Sequence, residues 1–187
     1  MITIVSGLPR SGTSLMMQMI AAGGLPVLSD GDRKADSDNP KGYLEWELIK
    51  KLPQDPILIA EAEGKVVKVI SQLIPSLSDQ HEYRIVFMQR PLTEVLMSQD
   101  QMLRRRGNVQ QITNGSALEG VFQRHLIEVN NWLAGKGNIH VLRVQYHRAL
   151  REPRPVAEEV TAFLGVGLDI EAMVRQVDGS LYRNRVE

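Results

Sequence analysis

The sequence predicts an α/β domain in three layers, a central parallel sheet flanked by helices. Two observations carry that expectation. Short apolar, β-branched runs alternate along the chain with segments whose apolar residues recur at helical spacing, the pattern of parallel strands joined by crossover helices. The first run then enters a glycine-framed turn that opens directly into a helix. The 187 residues suffice for one core and are few for two. No linker, internal repeat or low-complexity tract divides them, so residues 1–187 read as a single domain.

The elements follow in order. Residues 2–6 (ITIVS) form the first strand, and Leu15, Met16, Met19 and Ile20 mark a helix beginning near Thr13. Residues 26–28 are a weaker strand, followed by a loop over 29–42 dense in Asp, Asn, Gly and Pro. A second weak strand is expected at 57–60, and firmer ones at 66–70 and 84–89. Leu92, Val95, Leu96, Met102 and Leu103 make one helical stripe; a polar loop over 107–116 succeeds it. Leu118, Val121, Phe122, Leu126, Val129, Trp132 and Leu133 keep helical spacing for about four turns. A strand at 139–144 precedes a last helix through Val156, Val160, Phe163 and Leu164, stopped by Gly165.

Composition narrows the function. Hydrophobic residues are 43% and charged residues 24%, values of an ordinary globular protein. Lys plus Arg and Asp plus Glu are 22 each, which argues against a dedicated nucleic-acid or anionic-membrane binder. Without cysteine there is no disulfide, thiolate metal site or cysteine nucleophile. No apolar run approaches the roughly 18 residues of a membrane helix, and the N-terminus carries no basic region before its apolar stretch. A cytoplasmic location is the expectation.

The strongest motif is Gly7-Leu-Pro-Arg-Ser-Gly-Thr-Ser14, between the first strand and its helix. Such a turn directs backbone N–H groups inward, and the helix dipole favours negative charge there. Pro9, Arg10, Ser11, Gly12, Thr13 and Ser14 are therefore assigned to an anion, with Ser11, Thr13 and Ser14 adding hydroxyl donors. The spacing is that of a Walker A loop, but Thr13 stands where its lysine would be, and the positive charge is Arg10 inside the loop. No strand plainly ends in a Walker B aspartate, which disfavours magnesium-nucleotide chemistry. The expected metal is none.

A second strand-to-helix junction repeats the device. Residues 84–89 end at Arg90, Pro91 opens a helix, and Ser98 lies about two turns on. With these residues in view, the chain resembles a small bacterial-type member of the P-loop sulfotransferases, which use 3′-phosphoadenosine-5′-phosphosulfate (PAPS). GLPRSGTS is similar to that family's 5′-phosphosulfate loop, and Arg90 with Ser98 to its 3′-phosphate pair. Lys68, in KVVKVISQLIP, resembles the lysine of the cytosolic branch, and Tyr146 stands where the family often has a tyrosine near the adenine.

The resemblance implies a three-layer P-loop fold and transfer of a sulfuryl group from PAPS, without metal, to a hydroxyl or amine. Its partners would be the nucleotide donor and a small-molecule or polymer acceptor, with no nucleic acid and no membrane. Arg10 and Lys68 would stabilise charge on the leaving 5′-phosphate. Two features depart from the pattern. Ile70 occupies the position of the cytosolic branch's catalytic histidine, and the C-terminal Arg-Lys-Gly clamp is not recognisable. The run Arg104, Arg105, Arg106 or the ending with Arg183 and Arg185 would have to substitute for that clamp. Alternative readings are a small-molecule kinase or other nucleotide-dependent transferase with an atypical P-loop, and a catalytically idle nucleotide-binding protein.

Other branches of the resembling family place a carboxylate after the first helix, and the resemblance implies a general base among Asp30, Asp32, Glu45 and Glu47. Glu45 is favoured because Tyr43 and Trp46 beside it would partly desolvate it, the condition under which a carboxylate becomes a better base; Asp30 follows. His81, His125, His140 and His147 show no metal-ligand spacing and read as structural, as do Met16, Met17 and Met19 as core filler.

Overall fold

The computed structural model describes residues 1–31, 39, 42–105 and 115–178. Four strands, β1 (Ile2–Gly7), β2 (Val66–Lys68), β3 (Tyr83–Gln89) and β4 (Ile139–Gln145), form one parallel sheet in the order β2-β1-β3-β4. The register pairs Val5 with Lys68, Gly7 with Met88 and Gln89 with Gln145. The carboxyl ends of all four strands therefore meet at one edge of the sheet.

Helices cover both faces, as the alternation predicted. On one face α1 (Thr13–Ala22), α4 (Tyr146–Arg151), α5 (Pro153–Leu164) and α6 (Ile170–Val174) bury Met16, Met17, Met19, Ile20, Val160 and Met173 against Val5 and Val86. On the other, α3 (Gly115–Ala134) and 3₁₀ turns bury Val129, Leu133, Trp46 and Ile59 against Ile4, Ile85 and Phe87. The chain leaves β1 for one face, through α1, and leaves β3 through α2 (Leu92–Arg105), which contacts α3 of the other. That divergence opens a crevice at the strand ends, where open α/β sheets bind ligands. At the opposite end of the sheet, at the start of β3, burial pushes the Tyr83 phenol up to about 12, while its hydroxyl donates to the Ser78 carbonyl at 2.9 Å.

Local chemistry explains where the elements depart from expectation. Residues 57–60 are not a strand but lie in a 3₁₀ helix, Pro56–Ala62. Pro56 presets its first turn, the Asp55 carboxylate accepts from the Ile57 N–H at 3.3 Å, and Ile59 and Ala62 face the core while Ile57 is 75% exposed. Residues 26–28 contribute a single bridge, Val27 to Val66, rather than a strand. β2 stops at Lys68 because Ile70 leads into a 3₁₀ helix, Ser71–Ser76. Helix α5 ends at Gly165, whose φ of 65° is the left-handed cap the sequence called for. Asp32, Arg106, Arg183, Arg185 and most of the loops at 29–42 and 107–116 lie outside the described residues.

Candidate functional site

The turn after β1 binds its own backbone tightly and leaves a helix end open. Gly7 and Gly12 have φ of 146° and 99°, and a Cβ on Gly12 would stand 2.4 Å from Cδ2 of Tyr146. Arg10 itself takes φ of 72°, a conformation rare for a residue with a side chain. Gly12 precedes α1, and no side chain caps that end. The first N–H groups of α1, at the wall of the crevice, are thus left without a side-chain cap among the described residues, an arrangement chemically able to receive an anion. The Ser11 hydroxyl is buried and finds no hydrogen-bond partner among the described residues.

The two strand-to-helix turns are tied to each other. Arg10 Nε donates to Ser98 Oγ at 2.9 Å, and Arg90 Nη1 donates to the Arg10 carbonyl at 3.2 Å. Arg90 also lies over the Tyr146 ring, 4.6 Å from its centroid, and donates through Nε to Glu94 Oε2 at 2.9 Å. Tyr146 is buried, which raises its phenol pKa above the ordinary value; the nearby Arg90 and Arg10 charges pull the other way. It is a brace between Gly12 and Arg90, and it stays protonated.

Lys68 enters from the end of β2. Its side chain is only 4% exposed, and its ammonium donates to Ser14 Oγ at 3.0 Å, to the Tyr43 carbonyl at 2.5 Å and to Glu45 Oε1 at 3.4 Å. A buried ammonium needs such partners to stay charged. Three cations from three different turns, Arg10, Lys68 and Arg90, line one cleft of about 430 Å³. Its walls also include Pro9, Gly12, Thr13, Ser14, Ser98 and Tyr146.

Placement separates the carboxylates. Glu45 and Glu47 line the cleft, Glu45 against Lys68 and Glu47 paired with Lys50. Asp30 does not line it; its carboxylate accepts from the Glu47 N–H at 2.5 Å, and its own N–H donates to the Glu45 carbonyl at 3.2 Å. Ser11 likewise lies off the main cleft, along a smaller hollow between β3, α2 and α3. Ile70, at the histidine position of the resembling branch, lines the cleft with an apolar side chain. Arg104 pairs with Asp100 at 2.8 Å and lies outside the cleft.

Two residues here, Gln18 and Glu94, are not among the candidates expected from the sequence. Gln18 lines the cleft and donates to Asn39 Oδ1 at 2.9 Å and the Gly42 carbonyl at 2.8 Å, fastening the loop after α1. Glu94, four residues after Arg90, had a signal in its helical i, i+4 spacing. Among the described residues no three His, Asp or Glu side chains are grouped to hold a metal ion, and no helix is long and apolar enough to cross a membrane.

No protein-family model matches the sequence, and no curated protein matches it. Solved structures do match in fold. The sulfotransferase domain from the curacin biosynthetic pathway aligns with a TM-score of 0.56 at 14% identity, over 99% of this chain and 80% of that one. The sulfotransferase domain of the Synechococcus PCC 7002 olefin synthase aligns at 0.54 and 16%, over 100% and 80%. A mouse sulfotransferase complexed with PAP aligns at 0.55 and 13%, over 99% of this chain and 66% of that one. The fold of this protein is the sulfotransferase fold, a P-loop-type α/β architecture around a four-stranded parallel sheet.

Proposed function

We propose that this protein is a PAPS-dependent sulfotransferase, moving a sulfuryl group to the hydroxyl or amine of a small-molecule or polymer acceptor. One observation carries the reading. The turns after β1 and β3 are joined by the Arg10–Ser98 and Arg90–Arg10 hydrogen bonds, so two anion-binding turns serve a single cleft. A nucleotide with anionic groups at both its 5′ and 3′ positions matches that pair; a nucleoside triphosphate places its charge at one end only. The fold neighbours support the reading, since the mouse sulfotransferase was solved with PAP.

The residues divide the work by position. The open N-terminus of α1, Arg10 and the hydroxyls of Thr13 and Ser14 would hold the 5′-phosphosulfate; Arg90 and Ser98 would hold the 3′-phosphate, with Tyr146 bracing Arg90. As the acceptor atom bonds to sulfur, the bridging S–O bond to the 5′-phosphate breaks and its electron pair stays on the phosphate oxygen. Arg10 and Lys68 stabilise that charge. Glu45 takes the acceptor's proton; its place 3.4 Å from Lys68 sets base and cation on the same wall. Asp30 acts through the backbone, fixing residues 45 and 47.

Calorimetric titration of 3′-phosphoadenosine-5′-phosphate (PAP), ADP and magnesium-ATP tests the donor. PAP binding alone, weakened about 10²-fold by Arg90→Ala, is expected from the loss of charged bidentate contacts. Equal or tighter binding of magnesium-ATP, indifferent to Arg90, would return the protein to the kinases.

A further inference from the structure

Glu94 is the most enclosed charged group beside the cleft, 1% exposed, yet it is not among the residues that line it. Two contacts of its carboxylate fall on one oxygen. Arg90 Nε and the His147 Nε2 position each lie 2.9 Å from Glu94 Oε2. A carboxylate so far from water is tolerable only while donors satisfy it, so the three side chains are locked together. His147 directly follows Tyr146 in the first turn of α4. Two consecutive residues of that helix therefore hold the Arg90 guanidinium, Tyr146 by its ring face and His147 through Glu94.

The consequence concerns orientation. With Nε committed to Glu94 and Nη1 to the Arg10 carbonyl, the plane of the guanidinium is set by the protein before any ligand arrives. An Arg held in this way loses little freedom on meeting a phosphate, whereas an untethered one would. We infer that Glu94 and His147 are positioning residues that preset Arg90 for the 3′-phosphate of the donor nucleotide, and so contribute to its discrimination from nucleotides lacking that group. The inference rests on the PAPS reading above and adds two residues to it.

The test compares PAP with AMP, which lacks the 3′-phosphate, on the full chain by calorimetry. Wild type should prefer PAP; Glu94→Gln, which keeps shape but loses charge, should cut PAP affinity by about tenfold and leave AMP within about twofold. His147→Leu should shift the ratio the same way by a smaller factor, and His147→Gln, which restores a donor, should recover part of it. In an Arg90→Ala background, Glu94→Gln should add nothing. An unchanged PAP-to-AMP ratio in folded Glu94→Gln overturns the inference and leaves the donor assignment standing; should that variant fail to fold, His147→Leu decides in the same way. Wild type binding PAP no better than AMP overturns both.

Discussion

The two halves of the cleft are built differently. The half proposed for the donor stands on regular elements: β1 into α1, β3 into α2 and β4 into α4, with its cleft-lining side chains within about two turns of a strand end. The half proposed for the acceptor is irregular, made from the non-helical segment before Glu47, the 3₁₀ helix Glu47–Lys51 and Ile70 with Leu73 at the 3₁₀ helix Ser71–Ser76. The first half is cross-braced by Arg10–Ser98 and Arg90–Arg10; the second is anchored at Asp30, Asn39 and Lys68. On the proposed reading, the donor would be held where backbone geometry is most constrained, and the acceptor selected where it is least so.

Lys68 joins the two halves, and its loss should do the most damage. Lys68→Met is expected to lower turnover by about 10³-fold, through lost stabilisation of the leaving phosphate and a Glu45 left without its cation. Single-turnover kinetics with saturating donor would show it; a change confined to KM would move Lys68 to ground-state binding.

Glu45→Gln sharpens the contrast by attacking one half alone. Turnover should fall about 10²-fold while PAP affinity stays within a few-fold, read by steady-state rates beside calorimetry. Parallel loss of both would show that the carboxylate holds Lys68 rather than accepting a proton.

The donor half has its own selective probe. Gly12→Ala places a Cβ 2.4 Å from the Tyr146 ring at φ of 99°, so strain and overlap should weaken PAP by about 10- to 100-fold and lower the melting temperature. Tyr146→Ala in the same chain should relieve the overlap, and no relief would place the cost in the backbone.

The smallest effect is expected at Asp30. Asp30→Ala removes the acceptor of the Glu47 N–H, a loss of about 1 kcal/mol by analogy with capping residues, with turnover reduced only a few-fold. Chemical denaturation and rate together check this; a drop as deep as that of Glu45→Gln would make Asp30 the base.

The residues proposed for the donor are legible in the local sequence because they are neighbours in the chain. A strand, a Gly-x4-Gly turn and a helix start set uncapped N–H groups at one place, and Arg90 lies just before the helix that carries Ser98. The strands at 2–6, 84–89 and 139–144 were legible from their β-branched runs, while residues 57–60 were not, since Pro56 and Asp55 override a short apolar run.

What the tertiary structure alone decided is which distant residues meet. Register between β1 and β2 brings Lys68 beside Val5 and so beneath Ser14, and the sheet order puts Arg90 across the crevice from Arg10. The same distances part the carboxylates: Glu45, favoured in the chain for its aromatic neighbours, lines the cleft, while Asp30, the next candidate, holds the backbone of residues 45 and 47. Glu94 and His147, 53 residues apart, share a hydrogen bond only because β3 and β4 are neighbours. Sequence determines contacts that a single turn of backbone enforces; those across the sheet depend on the packing of the whole core, in which every strand and helix takes part.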